Sequence, residues 1–127
     1  MARTAAELTA SEIEMCRRRL RERAERSDTV WADRLTRARA IGRRAAGILR
    51  AEFGATRVVL FGSCLRAEWF TLWSDVDVAA WGIRPVDTFR AMGKVQELDR
   101  TIEVNLIDAG ACSPTLLAQI EAEGQPL

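Results

Sequence analysis

Two short motifs at a fixed separation constrain this chain more than any other feature. The first is Leu60–Ser63, in which the apolar run Leu-Phe is followed by a glycine and a serine. The second is Ser74–Val78, which alternates aspartate with valine and places Asp75 twelve residues after Ser63. An apolar run and a strict alternation are both typical of β-strands, so each motif is predicted to lie on a strand.

The alternation in the second motif brings two carboxylates together. A strand places Asp75 and Asp77 on one face with Cα atoms roughly 6 to 7 Å apart. Carboxylates about 5 Å apart repel by roughly 3 kcal/mol at an effective dielectric near 20, so a partner cation is expected. The chain has no histidine and no clustered cysteines. Oxygen ligands alone favour a hard ion, Mg²⁺ or Mn²⁺.

The first motif suits a phosphate, because a strand that runs into Gly62-Ser63 and a helical turn aims backbone N–H groups and a hydroxyl at one point. A phosphate-binding turn beside a paired-aspartate metal site is the layout of metal-assisted phosphoryl or nucleotidyl transfer. The two motifs together resemble the signature of the nucleotidyltransferase superfamily that includes DNA polymerase β, and specifically its minimal nucleotidyltransferase branch. The likeness covers roughly residues 48–127, including a closing Ile120–Gly124.

The resemblance implies an α/β (α+β) fold, a polymerase-β-like domain with helices packed on a small mixed sheet. That domain is assigned to residues 54–127, preceded by an extension of two helices over residues 1–53. Asp75 and Asp77 are the implied metal ligands and catalytic carboxylates. The implied nucleotide-binding residues are Gly62, Ser63, Arg66 and Ser74. Ala67 stands where the family usually has a glycine, which matters only if that residue needs a positive φ.

The third carboxylate of the family is missing from this chain. Its place in the third strand, predicted at residues 102–107, is taken by Asn105 between Val104 and Leu106. An amide is uncharged and cannot accept a proton from an attacking hydroxyl. We therefore expect the catalytic rate to be reduced more than nucleotide binding. Glu103 lies on the same face of this strand as Asn105, one step along, and is the candidate replacement ligand; alternatively it is a polar residue at a strand end.

Composition indicates a single soluble domain of 127 residues with a net charge of +1. Residues 1–57 hold 14 basic and 8 acidic residues, whereas the remainder holds 5 and 10, which suggests a solvated basic helix and an acidic metal site. Cys16, Cys64 and Cys112 are too scattered for a disulfide framework or a zinc site. No apolar run is long enough to span a membrane, and a cytoplasmic location is expected.

The N-terminal region is predicted to fold as two helices after a frayed segment, residues 1–8. The first starts at the cap Ser11, with Glu14 completing a capping box, and runs to about residue 26. A break near Asp28 separates it from a second helix over residues 29–53, which Gly54 ends. This extension is open to three interpretations: a brace for the sheet, an oligomer or partner surface, or an RNA-contacting arm.

The remaining segments alternate strands and helices. Residues 63–67 are predicted to form a short helix, and residues 86–98 an amphipathic helix with Phe89, Met92, Val95 and Leu98 inward. Ser113 and Pro114 predict the cap and first residue of a last helix. The aromatic loop Trp69–Trp73 is expected to bury some side chains in the core and to offer others to a partner, with base stacking as a third alternative.

The leading hypothesis is an enzyme that transfers AMP from magnesium-ATP to a hydroxyl, with ATP carried over from the resemblance. So small a chain suggests that the acceptor belongs to a partner protein. The resemblance points the same way, because stand-alone members of the family are often paired with a small helical HEPN protein, and some are antitoxins that adenylylate that toxin. The rival is a catalytically degenerate module that binds by contact, and a third alternative is an antibiotic-type nucleotidyltransferase. A homo-oligomer is possible, whereas membrane and nucleic-acid partners are not expected.

Overall fold

Helix α1 runs from Ala10 to Phe53 in the computed structural model, which describes residues 9–127. The chain forms two compact units divided between residues 33 and 34, and α1 contributes residues to both. The second unit contains the sheet and every buried apolar residue of the described chain. The fraying predicted for residues 1–8 lies outside the described residues. Within residues 9–127 no helix is both long and apolar enough to cross a membrane.

The predicted pair of N-terminal helices is wrong, because α1 is continuous through Asp28. Neither Ser27 nor Asp28 removes a backbone donor as proline would, and low propensity alone does not end a helix. The predicted capping box is displaced by two residues. Thr9 is the cap, with its Oγ1 accepting from the Glu12 backbone N–H at 3.2 Å, while the Glu12 carboxylate accepts from the Thr9 N–H at 2.8 Å.

The sheet has four strands in the order β3-β2-β1-β4. Their bounds are β1 Arg57–Phe61, β2 Val76–Trp81, β3 Val104–Asp108 and β4 Gln125–Pro126. Strand β1 pairs antiparallel with β2 and β4, whereas β2 pairs parallel with β3. This is the mixed sheet that was predicted, and β4 is too short to have been recognised from its sequence.

Helices cover both faces of the sheet. On one face Gly42 of α1 lies close enough that an added Cβ would be 3.5 Å from the Leu60 side chain and 3.6 Å from Val76. On the other face helix α3, Pro114–Glu123, packs Ile120 against Val59 and Ala79. The strand residues next to the functional motifs are therefore fixed from both sides.

The second half of the chain keeps the predicted order of elements with two changes of detail. Helix α2 spans Thr88–Gln96 after a 3₁₀ turn, Pro85–Asp87, and buries Ala91 and Val95. Phe89 was predicted to face inward, which is wrong: its side chain is 86% exposed. The cap of α3 is confirmed, because the Leu116 backbone N–H donates to the Ser113 hydroxyl at 3.2 Å and Pro114 follows as the first helical residue.

Candidate active site

The two motifs meet at one end of the sheet. Strand β1 runs into a 3₁₀ turn, Gly62–Leu65, which is called the Gly-Ser turn below. Asp75 immediately precedes β2, and Asp77 is its second residue. Register places Phe61 opposite Asp77 on β1, and Asn105 opposite Asp77 on β3. Gly62, the two carboxylates and the Asn105 amide therefore lie together. They are supplied by the end of β1 and by the starts of β2 and β3.

Asn105 links the two carboxylates. Its side-chain amide donates to Asp77 Oδ1 at 3.1 Å and to Asp75 Oδ2 at 3.3 Å. Partial burial raises the pKa of Asp77, the Asn105 hydrogen bond lowers it, and the negative charge of Asp75 raises it again. The pKa of Asp77 is raised overall, so a positive charge placed beside its carboxylate would favour the ionised form.

Gly62 brings the turn against this pair. Its φ is +78°, in the region that side chains rarely adopt. A Cβ added at Gly62 would lie 2.6 Å from Asp77 Oδ2, which is too short for any real contact. Conformation and space therefore both require glycine, and the backbone of the Gly-Ser turn lies directly beside the carboxylate.

Two further residues hold the Gly-Ser turn in place. Arg39 of α1 donates from Nε to the Cys64 carbonyl at 3.0 Å and from Nη2 to the Leu65 carbonyl at 3.3 Å. The buried Cys64 thiol donates to the Asp75 carbonyl at 3.3 Å. The turn is thus connected both to the helix and to the residue that begins the carboxylate motif.

The other predicted nucleotide-binding residues lie on either side of the aromatic loop. Ser63 is half-buried in the Gly-Ser turn. Arg66 is exposed and stacks its guanidinium over the Trp69 ring at 4.7 Å from the ring centre. Ser74 accepts a hydrogen bond from the Thr71 backbone N–H at 2.9 Å, so its hydroxyl shapes the end of the loop.

The predicted helix over residues 63–67 is replaced by two 3₁₀ turns, Gly62–Leu65 and Ala67–Trp69, with Arg66 extended between them. Within the described residues only glycines have positive φ, so Ala67 fits here without strain. Among the loop aromatics Phe70 is buried, as expected for some of them, whereas Trp73 is 86% exposed. The loop therefore anchors through Phe70 and presents Trp73 outward.

A cavity of about 420 Å³ opens beside the carboxylates. It lies between the sheet, α2 and α3, and its walls are mostly apolar, with Asp77, Asn105 and Gln96 as the polar exceptions. The apolar wall consists of Phe61, Met92, Leu106, Ile107 and Leu116. A bound molecule of modest size would therefore have room next to Asp77 and Asn105.

Two solved structures share this arrangement of elements. One is assigned as a minimal nucleotidyltransferase, with 29% identity, a TM-score of 0.58, and coverage of 73% of this chain and 95% of that one. The other is a mutant of the toxin–antitoxin pair MntA–HpeT, with 24% identity, a TM-score of 0.55, and coverage of 67% and 69%. The chain has a minimal nucleotidyltransferase fold. By sequence comparison it matches no protein-family model and no curated protein.

Within this nucleotidyltransferase fold, the structure does not bring Glu103 into a carboxylate cluster. Strand β3 begins at Val104, and Glu103 is exposed, with its backbone carbonyl accepting from the Val76 N–H at 2.8 Å. In the part of the chain that the structure describes, no three acidic, cysteine or histidine side chains are close enough to share a metal. Asp75 and Asp77 are therefore the carboxylates on which a metal site would depend.

The chemistry of these two carboxylates would suit one magnesium ion. Mg²⁺ is commonly bound by one or two protein carboxylates together with substrate phosphates and water. The backbone of Gly62 lies close to Asp77, so phosphate oxygens bound at the Gly-Ser turn would be near enough to share a metal with that carboxylate. The donor set is entirely oxygen, as the predicted choice of Mg²⁺ or Mn²⁺ requires.

Sequence reasoning missed Arg39 and Cys64. Arg39 is one of many arginines along α1, and nothing in its spacing separates it from the solvated ones. Cys64 follows Gly62-Ser63 directly, but a single cysteine inside a turn carries no signal of its burial. Both act through backbone carbonyls, whose positions only the folded chain reveals.

Proposed function

We propose that this protein is a minimal nucleotidyltransferase that binds magnesium-ATP and transfers AMP to a hydroxyl group on a partner protein. The observation that supports this most directly is the convergence of Asp75, Asp77 and Asn105 against the Gly-Ser turn, in which the turn backbone leaves no room for a side chain at Gly62. The fold shared with a minimal nucleotidyltransferase supports the same reaction class.

In this proposal the Gly-Ser turn and Arg66 bind the triphosphate, while Asp75 and Asp77 hold the metal. A bound Mg²⁺ would neutralise charge on the phosphates and on the two carboxylates. The acceptor oxygen attacks the α-phosphorus, the bond from that phosphorus to the bridging oxygen breaks, and pyrophosphate leaves. The hydroxyl proton passes to water, since the Asn105 amide cannot accept it.

The acceptor is proposed to be a protein, for two reasons. The cavity beside Asp77 is about 420 Å³, which suits a side chain better than a large small-molecule acceptor. The structural neighbour from the MntA–HpeT pair is a component of a two-protein system. A small helical partner of the HEPN type, in an antitoxin relationship, is the corresponding proposal for this chain.

Catalysis is tested by restoring the third carboxylate. The Asn105→Asp variant and the natural chain are incubated with magnesium-ATP and glycerol as a probe hydroxyl, and pyrophosphate release is measured. If Asn105 is all that limits the chemistry, the variant should be faster by about 100-fold or more, the range typical of a general base. The control is Asn105→Ala, which removes the amide without adding a carboxylate.

One observation favours a second candidate function, a nucleotide-binding module that acts on its partner by contact. Asn105 is well accommodated, because its amide is hydrogen bonded to both carboxylates where the family has a third acid. In that case Asn105→Asp binds magnesium-ATP and still releases no pyrophosphate. That outcome would count against a chain that needs only the third carboxylate to transfer AMP to glycerol, and it would favour the contact module.

A further inference from the structure

Arg39 connects helix α1 to the Gly-Ser turn through two hydrogen bonds. Its guanidinium bridges two successive backbone carbonyls, those of Cys64 and Leu65, at 3.0 Å and 3.3 Å. Both carbonyls belong to the Gly-Ser turn. The side chain is partly buried, and it connects α1 with the turn that lies against Asp77.

The direction of this contact matters for what the turn can bind. In a helical turn the carbonyls point toward its C-terminal end and the amides toward its N-terminal end. Arg39 therefore binds the C-terminal end of the turn, through the carbonyls of Cys64 and Leu65, and leaves the N-terminal residues Gly62 and Ser63 uncovered by its side chain. A cation at the carbonyl end also complements the local backbone dipole.

The same turn is fixed from its other side. The Cys64 thiol donates to the carbonyl of Asp75 at 3.3 Å, and Asp75 is one of the two carboxylate residues. Arg39 and Cys64 therefore form a short chain of contacts from α1 through the turn to the start of β2. A planar fork with several donors can bridge two carbonyls at once, whereas the point charge of a lysine cannot do so with the same geometry.

We propose that Arg39 is a positioning residue for nucleotide binding, which orders the Gly-Ser turn before the triphosphate arrives. This inference rests on the proposed function, because it assigns the turn to the triphosphate. A turn that is already ordered spares the ligand the entropic cost of ordering it. Removing the fork should therefore weaken magnesium-ATP binding although Arg39 does not itself touch the nucleotide.

The test compares Arg39→Met with Arg43→Met. Arg43 lies one helical turn further along α1, lines the same surface cavity and is exposed, so its replacement is a matched control. Two measurements are made on each folded variant: calorimetric titration with magnesium-ATP, and the backbone amide NMR signals of Gly62, Ser63 and Cys64 without ligand. Arg39→Lys keeps the charge and is measured in the same way.

We expect Arg39→Met to bind magnesium-ATP about 10- to 100-fold more weakly, the loss typical of outer partners that orient a ligand-binding group. Its three turn amides should shift, Arg39→Lys should fall between it and the natural chain, and Arg43→Met should match the natural chain. Magnesium tripolyphosphate should show the same loss as ATP, because the effect acts on phosphates. If Arg39 only stabilised the fold, its replacement would lower thermal stability without this selective loss of affinity for magnesium-ATP and tripolyphosphate.

Unchanged turn amides in Arg39→Met would overturn the inference, as would unchanged affinity for magnesium-ATP in a natural chain that binds it. If the natural chain does not bind magnesium-ATP, the proposed function fails, and the amide signals then report separately on whether Arg39 orders the turn. If Arg39→Met does not fold, Arg39→Lys decides, and natural affinity with natural amide signals in that variant would overturn the role of the fork.

Discussion

At Gly62 a single methyl group should be enough to disrupt the site. The backbone there has a φ of +78°, and an added Cβ would lie 2.6 Å from Asp77 Oδ2. The left-handed conformation alone costs an alanine about 1–2 kcal/mol, so Gly62→Ala should lower the free energy of unfolding by at least that amount. Urea unfolding measures the loss.

The matched control for this substitution is Gly47→Ala in α1, where an added Cβ meets nothing within 4 Å. Alanine is favoured over glycine inside a helix, so this variant should be more stable by about 0.5–1 kcal/mol. Equal effects of the two substitutions would contradict the special role assigned to Gly62.

Cys64 and Cys16 should differ sharply in reactivity. Burial raises the pKa of the Cys64 thiol to about 11, the nearby Asp77 charge adds to that effect, and Arg39 opposes it, whereas Cys16 is exposed. Only the thiolate is nucleophilic. Iodoacetamide at pH 8 should therefore label Cys16 and leave Cys64 unlabelled, as read by peptide mass spectrometry.

The same pKa gives a stability prediction at high pH. Because the folded state favours the neutral thiol, its contribution is complete below pH 9 and is lost as the pH rises toward 11. A Cys64→Ala variant should show a flatter decline of unfolding free energy over that interval. Rapid labelling of Cys64 at pH 8 would contradict both expectations.

Site residues could be predicted from the sequence where they lie within one short motif. Strand alternation predicted that Asp75 and Asp77 lie close together, and the Gly62-Ser63 motif predicted a turn at the end of the first strand. The contact of Asn105 with both carboxylates needed the parallel register of β2 and β3, which joins residues far apart in the chain. Sequence alternation cannot supply such a register, so Asn105 was assigned to the site only through the family resemblance, and its hydrogen bonds to both carboxylates were not predicted.

Among the elements, the turn between α2 and β3 is held by one side chain. The Asp99 carboxylate accepts from the Thr101 backbone N–H at 2.9 Å, the Thr101 hydroxyl at 3.0 Å and the Ile102 N–H at 2.9 Å, and it pairs with Arg37 of α1. Asp99→Ala leaves these donors unpaired and should cost about 2 kcal/mol of unfolding free energy. Chemical unfolding at pH 7 measures it.

The pH dependence of this contribution follows from the pKa of Asp99. Partial burial acts to raise it, but the hydrogen bonds from Thr101, Ile102 and Arg37 outweigh burial and lower the pKa to about 2. The carboxylate therefore stabilises the fold above about pH 4, and that stabilisation is lost as the pH falls toward 2. The difference in unfolding free energy between the natural protein and Asp99→Ala should therefore shrink as the pH falls over that range.

Asp87 provides the comparison for Asp99. It pairs with Arg84 and Arg90 at the start of α2, and both arginine side chains are largely exposed. Exposed pairs contribute little, so Asp87→Ala should change the unfolding free energy by at most about 1 kcal/mol. A loss as large as that of Asp99→Ala would show that the turn has no special role.

Element boundaries were the least predictable feature. The break expected near Asp28 does not exist, because no glycine or proline interrupts α1 there. The Thr29 hydroxyl donates to the Glu25 carbonyl at 3.0 Å, which keeps that side chain against the helix. The prediction that Phe89 faces inward was also wrong. The inward face of α2 is set by Ala91 and Val95, and small residues there signal close packing less clearly than an aromatic does.

At the scale of the whole molecule, the structure and the sequence suggest different boundaries for the folding unit. The sequence assigns the catalytic domain to residues 54–127, and that division stays a prediction. The compact unit with the sheet begins at residue 34 and includes the buried α1 residues from Leu35 to Phe53. Two truncated chains, 34–127 and 54–127, separate these alternatives.

The fragment 34–127 should unfold cooperatively, with a denaturant midpoint close to that of the full chain, because it keeps every described buried apolar residue. The fragment 54–127 should fail to fold, because it loses the side chains that cover one face of the sheet. Cooperative folding of the shorter fragment would contradict this and support the boundary at residue 54. Circular dichroism during urea titration distinguishes the two results.

The most direct measurement for the whole account is calorimetric titration of magnesium-ATP into the natural chain and into the Asp75→Ala, Asp77→Ala double variant, with Gly47→Ala as a folded control. The account predicts binding by the natural chain and by the control, and no binding by the double variant in a state that is still folded. Undiminished binding by the double variant would contradict the assignment of this carboxylate pair as the nucleotide site.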